Sequence, residues 1–296
     1  MNLTLFRKIL RDIRWPFLGV CFLLGTIQII RALITYRITV EVLPELMKRI
    51  PYDALMKIIF GGKGKFLETL ITAEGLQFNK PEHMQTFGFV DPGVVVIFCI
   101  WAIGRGSAIA AEMERGTMEL LLAQPIARWQ IIASHLCVDL LTVPLMALTM
   151  IAGTWIGVEW MELNTIDVSA YWGAVLNVIA LLWALIGLTT ALAAMSRTRW
   201  RVMSMAISIV LVMFLLTFLG QLVEVFKPWR FLSLFHYYQP QGIILYQRWK
   251  SVVYLGYGSA EVAYLVPKIP TLLLSALGCY SWAFYYFTRR DLPAPL

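Results

Sequence analysis

Residues 111–128 read Ala-Glu-Met-Glu-Arg-Gly-Thr-Met-Glu-Leu-Leu-Leu-Ala-Gln-Pro-Ile-Ala-Arg and set carboxylates (Glu112, Glu114, Glu119), a glycine break and a leucine run side by side. The chemistry this spacing offers is docking, not catalysis. A charged, glycine-broken entry leads into a short apolar helix that Pro125 ends. Glu119, near the start of that helix, suits the positive end of its dipole. A leucine-rich helix left in water is unfavourable unless a bilayer surface or a protein groove covers it. Two more ionisable residues stand inside apolar runs, Arg105 and Asp139. An intramembrane charge is a functional candidate until a partner is found for it. Asp139 reads either as a pathway group or as a residue that caps a vestibule or pairs with an arginine, and the structural reading is favoured. Arg105 lines a path or snorkels to the inner headgroups, and snorkelling is favoured.

No other constellation competes. His83, His135 and His236 are scattered without metal-ligand spacing. Cys21, Cys99, Cys137 and Cys279 lie far apart in apolar stretches with no CxxC, so buried thiols are expected, not a metal or a disulfide. No nucleophile–base pair or paired acid at catalytic spacing is present, so an enzyme is not expected. The run Gly61-Gly62-Lys63-Gly64-Lys65 lacks the spacing and the following Ser/Thr of a phosphate-binding loop. Energy, if the protein uses ATP, must come from another chain.

These residues need elements to hold them, and composition says which. The chain is 59% hydrophobic and 15% charged, with a mean hydropathy of +0.71. Soluble domains carry about a quarter charged residues, and here the apolar excess comes in long blocks. An all-α membrane protein follows, a single domain over 1–296 with six transmembrane helices. The spans are placed at about 15–36, 91–110, 130–157, 171–195, 202–225 and 263–287. Residues 1–14 form an amphipathic helix on the membrane surface, with Leu3, Phe6, Ile9, Leu10 and Ile13 on one face and Arg7, Lys8, Arg11 and Arg14 on the other. Pro16 is expected to turn the chain from that helix into the first span, which is read as uncleaved. Residues 37–88 read as an aqueous outer loop with short helices, and 227–261 as an outer segment rich in aromatics. Trp15, Trp129, Trp155, Trp160, Trp172, Trp200, Trp229 and Trp249 fall near span ends, as an aromatic belt.

The net charge of +7 reads as arginines and lysines flanking spans, and no basic run suggests nucleic acid. The Ser196-Arg-Thr-Arg-Trp-Arg201 turn is basic, whereas 159–169 has no lysine or arginine. Six spans then place both termini in the cytoplasm. Arg31 near the outer end of span one is expected to snorkel. Glu224 near the outer end of span five is expected beside Lys227 or Arg230. Gly187, Ala191, Ala193 and Ala194 permit close packing of span four.

The pattern E-x-E-x-G-T-x-E-x-L-L-x-x-P-x-x-R at Glu112, Glu114, Gly116, Thr117, Glu119, Leu121, Leu122, Pro125 and Arg128 resembles the signature of permeases of the type-2 ABC exporter family. Ser233-Leu234-Phe235-His236-Tyr237 with Gly242, and Phe287-Thr288-Arg289-Arg290-Asp291-Leu292, resemble that family's outer segment and ending. One departure is visible: Ser134-His135-Leu136 stands where the family often has a lysine. Either the imidazole takes over its interfacial role or that contact is absent.

The resemblance implies that 111–128 is a cytoplasmic coupling helix docking on a separate ABC ATPase subunit. It implies a second permease copy or paralogue, contact with membrane lipid, and no cofactor on this chain, with ATP-Mg on the partner subunit. It places the protein in the inner (plasma) membrane. The function implied is a permease that exports or flips a substrate. Two alternatives stand beside it: a mechanical transmitter to a periplasmic protein bound by the outer loop, and an ATP-independent carrier or channel. The last usually shows several midplane charges or broken helices, and few are seen here.

Overall fold

The computed structural model describes residues 3–48, 80–118, 127–255 and 262–289. The first helix, α1 (Leu3–Tyr36), runs on through a π-helical turn (Arg37–Val42) into α2 (Leu43–Met47). Then come α3 (Pro81–Val90), α4 (Pro92–Gly106) and α5 (Ala108–Glu114). The long α6 (Arg128–Trp160) is followed by a 3-10 turn (Val168–Tyr171), α7 (Trp172–Met195) and α8 (Arg199–Leu222). A 3-10 stretch (Glu224–Leu232), α9 (Leu234–Tyr237), α10 (Pro240–Tyr246) and a β1–β2 hairpin (Lys250–Leu255, Val262–Pro267) lead to α11 (Lys268–Arg289).

Among the described residues, five helical segments are long and apolar enough to cross a membrane: Leu3–Met47, Pro81–Gly106, Arg128–Trp160, Val168–Met195 and Arg199–Leu222. They overlap the first five expected spans. The sixth, α11, falls short on apolarity because Tyr280, Trp282, Tyr285 and Tyr286 replace aliphatic residues, although its 22 residues reach about 33 Å. Two expectations need correction. Pro16 does not end a surface helix; it sits inside α1, where it only removes one backbone donor. The mostly helical fold, that of an all-α membrane protein, carries one short antiparallel hairpin, in which 250–255 and 262–267 pair from Lys250↔Pro267 to Leu255↔Val262. The β-branched and aromatic residues of Ser251-Val-Val-Tyr-Leu255 and Val262-Ala-Tyr-Leu-Val266 favour that choice. The last helix therefore begins at Lys268, not 263. Residues 37–47 and 81–90 are helical, at the two ends of the 37–88 loop in which short helices were expected.

The bundle is organised around α7. Its apolar window is 72% buried, against 11% for α8, which lies at the periphery. Two seams pass through small residues. Along α1 and α6, a Cβ added at Gly153 would lie 2.4 Å from the Gly25 carbonyl oxygen, and one at Gly157 2.6 Å from the Ala32 Cβ. Such contact maximises packing where water cannot drive association. On α7, Gly187 takes the Tyr280 ring and the Ala276 carbonyl of α11. Buried polar side chains pin the seams: Gln28 of α1 donates to the Gly88 carbonyl at 2.7 Å, and Thr154 of α6 donates to Gln28 Oε1 at 3.4 Å. Thr35 donates to Gln85 Oε1 at 3.2 Å. The eight tryptophans expected at span ends are all exposed.

Candidate functional site

The connector between α4 and α6 is built from the motif residues. α5 ends at Glu114 with Arg115 as its C-cap, and Gly116 follows with φ +70°. That left-handed conformation costs an L-residue about 1–2 kcal/mol and glycine almost nothing. The Thr117 hydroxyl donates to the Glu112 carbonyl at 3.1 Å, satisfying an acceptor that the ending helix leaves open. Gly116 and Thr117 therefore form a helix stop and restart. Residues Thr117 and Met118 are already helical again. Glu119, Leu121, Leu122 and Pro125 lie outside the described residues.

The connector's side chains tie it to three long helices. Glu114 Oε2 accepts from the Arg199 backbone N–H at 2.7 Å. Thr198, at the N-cap of α8, makes no side-chain cap bond, so Glu114 supplies the cap from elsewhere in the chain. Glu112 Oε2 faces His135 Nε2 of α6 at 3.9 Å, an ion-pair distance beyond hydrogen-bond reach. Burial pushes the Glu112 carboxyl up. The His135 contact, His135 charge, Lys8 and Arg105 outweigh that and hold it below the usual carboxylate range. Met118 is buried with Leu5 and Ile9 of α1 and Ile131 and Ile132 of α6. Part of the apolar stripe expected on lipid therefore packs against the protein. Arg128 is the first residue of α6 and is partly buried. His135, which stands where a lysine was expected, is buried against Glu112.

Above the connector, Arg105 and Asp139 form a buried pair, 6% and 1% exposed. Arg105 Nε donates to Asp139 Oδ1 at 2.8 Å, and Nη2 lies equally close to that oxygen but outside hydrogen-bond geometry. Tyr280 of α11 approaches Oδ2 at 3.5 Å, and the Trp183 Nε1 of α7 donates to the Asp139 carbonyl at 3.2 Å. Three helices, α4, α6 and α11, thus meet at one carboxylate, and α7 reaches the backbone of the same residue. Asp139 pairs with an arginine, as one of its sequence readings had it. Arg105, for which snorkelling was favoured, is buried and its guanidinium is held by this carboxylate inside the bundle. Arg31 likewise pairs with Asp91, which also caps α4 by accepting from Gly93 N–H at 2.8 Å.

At the far end of the bundle, Asn177 of α7 donates to the Tyr237 carbonyl at 3.1 Å and accepts from Gln239 N–H at 3.1 Å. Ser233 caps α9, and His236 Nε2 lies 3.0 Å from Ser251 Oγ. Among the described residues no three His, Cys, Asp or Glu side chains gather where a metal ion could sit.

A family model described as ABC-2 family transporter protein matches residues 6–292. The chain belongs to the ABC-2 transporter family. It is an ABC-2 type permease, a multi-pass membrane subunit of a family whose members are not themselves catalytic and work with an ABC ATPase. No curated relative matches the chain, and no solved structure does. Within this permease, sequence reasoning missed Gln28, Asn177, Trp183 and Tyr280. Gln28 and Asn177 carried a signal, being amides inside apolar spans. Trp183 and Tyr280 carried none, because their partners, the Asp139 backbone carbonyl and carboxylate, lie on another helix.

Proposed function

We propose that this permease uses ATP hydrolysed on a separate ABC ATPase to move a substrate outward or between leaflets, and that residues 111–128 are the coupling helix. ATP-Mg belongs to the partner subunit. Six spans, counting α11, put both termini on the cytoplasmic side of the inner membrane, with the connector beside them. Two permease copies, or two related permeases, complete the transporter, and the pathway forms where they meet.

The observation that carries this reading is the anchoring of the connector. Glu114 caps α8, Glu112 faces α6, and Met118 is buried against α1. A groove that grips the apolar segment after Met118 would therefore pull on three long helices at once. Rigid elements joined in this way pass displacement on, and a free surface loop does not. A substrate path through Arg105 and Asp139 has less support, since the two charges satisfy each other.

The test is co-purification with the ATPase encoded beside this chain, followed by ATP turnover in lipid. Glu119→Arg and Leu122→Ala should each weaken ATPase capture while the chain still elutes as a folded species. Undiminished capture by both variants would remove 111–128 from the docking surface. Reporter fusions at both termini should label from the cytoplasmic side only; a C-terminus that labels from outside would leave five spans.

A further inference from the structure

At the end of the bundle opposite the connector, the C-terminus of α8, the 3-10 stretch, α10, β1 and the start of α11 line an open cleft of about 640 Å³. Its wall carries Lys227, Arg230, Arg248, Lys250 and Lys268, against one acid, Glu224, among the described residues. Five cations around one small space repel one another, so a fold that gathers them stores a strong positive potential. Four of the five are also held in place. Lys268, 1% exposed, donates to the Arg248 carbonyl at 2.8 Å. The Lys227 ammonium sits 3.8 Å from the Tyr254 ring centroid, and the Arg248 guanidinium 4.8 Å from that of Tyr246. The Arg230 side chain lies against Gly220, where a Cβ would come within 2.3 Å of it. Gly242 faces the Lys268 ammonium, where a Cβ would stand 3.2 Å away.

The surroundings say how a ligand would arrive. Exposed apolar and aromatic residues adjoin the lining residues: Val225 follows Glu224, Trp229 precedes Arg230, Trp249 lies between Arg248 and Lys250, and Leu265 pairs with Val252 in the hairpin. Such a border belongs at a membrane–water interface, where aromatic rings sit at headgroup level. His236, inside the wall, is held neutral, its pKa pushed down to about 4 by burial first and then by Arg230 and Lys268. A neutral imidazole leaves the charge on the lysines and arginines and adds a hydrogen-bonding edge near Ser251.

We propose that this cleft is a phosphate-binding site, and that its natural occupant is the headgroup of an anionic phospholipid entering from the adjoining leaflet. Guanidinium and ammonium groups are the usual partners of phosphate oxygens. The cleft takes one headgroup while the acyl chains remain beside the apolar border. The site is independent of ATPase docking, which lies at the other end of the molecule.

The permease, purified in neutral detergent, is titrated separately with phosphatidylglycerol, phosphatidylcholine and sodium phosphate. Bound lipid is read by native mass spectrometry and phosphate binding by thermal shift. Phosphatidylglycerol is expected to bind in preference to phosphatidylcholine. Lys227→Gln, Arg248→Gln and Lys250→Gln combined should weaken it about tenfold, with an unchanged elution profile. Stabilisation by sodium phosphate that the triple variant loses, without any lipid preference, would keep the phosphate site but assign it to a soluble ligand. Equal binding of every probe by both proteins would overturn the proposal. Glu224→Gln removes the one acid and leaves the cations in place. It should bind phosphatidylglycerol more tightly, and weaker binding would count against the site.

Discussion

Asp139→Ala is the substitution whose effect the structure fixes best. Asp139 is 1% exposed and Arg105 6%, and the carboxylate is the acceptor for the Arg105 Nε at 2.8 Å. Removing it strands a guanidinium inside the bundle. Breaking a buried pair from one side costs about 3–5 kcal/mol, most of it the cost of the charge left behind. Glu112, whose carboxyl also feels Arg105, offsets part of this, so about 3 kcal/mol is expected. Arg105→Met should cost a similar amount, since it strands the carboxylate instead. The double variant Arg105→Met/Asp139→Leu strands nothing and replaces the pair with apolar volume, so it should lie within about 1–2 kcal/mol of the parent. Reversible unfolding in mixed micelles gives all three values, and adding the single variant Asp139→Leu closes the cycle that gives the coupling energy. A loss below about 1 kcal/mol for Asp139→Ala, or a double variant that loses the sum of the singles, would refute the pairing argument. The same double variant separates clamp from pathway. If it is stable and still couples ATP turnover to transport, the two charges hold helices together and touch no substrate.

Three further outcomes follow from particular contacts. Glu114→Ala should cost about 1 kcal/mol and show in hydrogen exchange as faster opening of the first turn of α8 at 199–202, with the rest of that helix unchanged. Gly153→Val should destabilise by about 1–3 kcal/mol, because even a Cβ would meet the Gly25 carbonyl at 2.4 Å, and the loss should appear as a lower melting temperature in micelles. For His236 the folded pKa, about 4, lies below the ordinary 6.5, so the unfolded chain binds the extra proton between those values. Its contribution is therefore complete above pH 6.5 and is lost as pH falls toward 4, by up to about 1.4 kcal/mol per pH unit. His236→Gln should flatten that part of the stability–pH curve, and an unaltered slope would place the dependence elsewhere.

What was legible in the sequence was whatever a local pattern carries. Long apolar blocks located the third, fourth and fifth crossing helices to within about three residues and overlapped the first two, because a span needs about 20 apolar residues in a row whatever surrounds it. The Gly116-Thr117 break was legible as a break, since a glycine between polar residues ends a helix by its own conformational freedom. What it accomplishes was not, because Glu114 finds its donor at Arg199, far along the chain. Pro16 misled for a related reason. A proline inside a helix removes one hydrogen bond, and packing of Leu5 and Ile9 on one side and Cys21 and Leu24 on the other keeps α1 continuous across it. The hairpin before α11 escaped because Val262–Pro267 joins an apolar run to the next one, and strand and helix cannot be told apart in so short a stretch. Arg105 and Asp139 each stood out as a charge in an apolar span. Their distance of 34 positions hid the fact that they answer each other.

The glycines and the ion pair divide the bundle into parts that can move together and parts that can bend. α1 and α6 meet backbone to backbone at Gly25 and Gly153, and Gln28 and Thr154 bridge the same seam with a buried hydrogen bond. Nothing at that seam can slide by a fraction of a residue without a clash or an unpaired amide, so the two helices respond as one body. The Arg105–Asp139 pair joins α4 to that body, and Tyr280 brings α11 to the same carboxylate. Just below, the chain breaks. Ser107 interrupts the helix between α4 and α5, its hydroxyl donating to the Gly104 carbonyl at 3.1 Å, and Gly116 ends α5 in a left-handed turn. At Gly116 the backbone departs from the regular ladder, its N–H donating to the Met113 carbonyl at 3.2 Å. On the proposed coupling role, displacement of the connector would reach α8 through the Glu114–Arg199 bond, and α1 and α6, sealed at Gly25 and Gly153, would follow as one body.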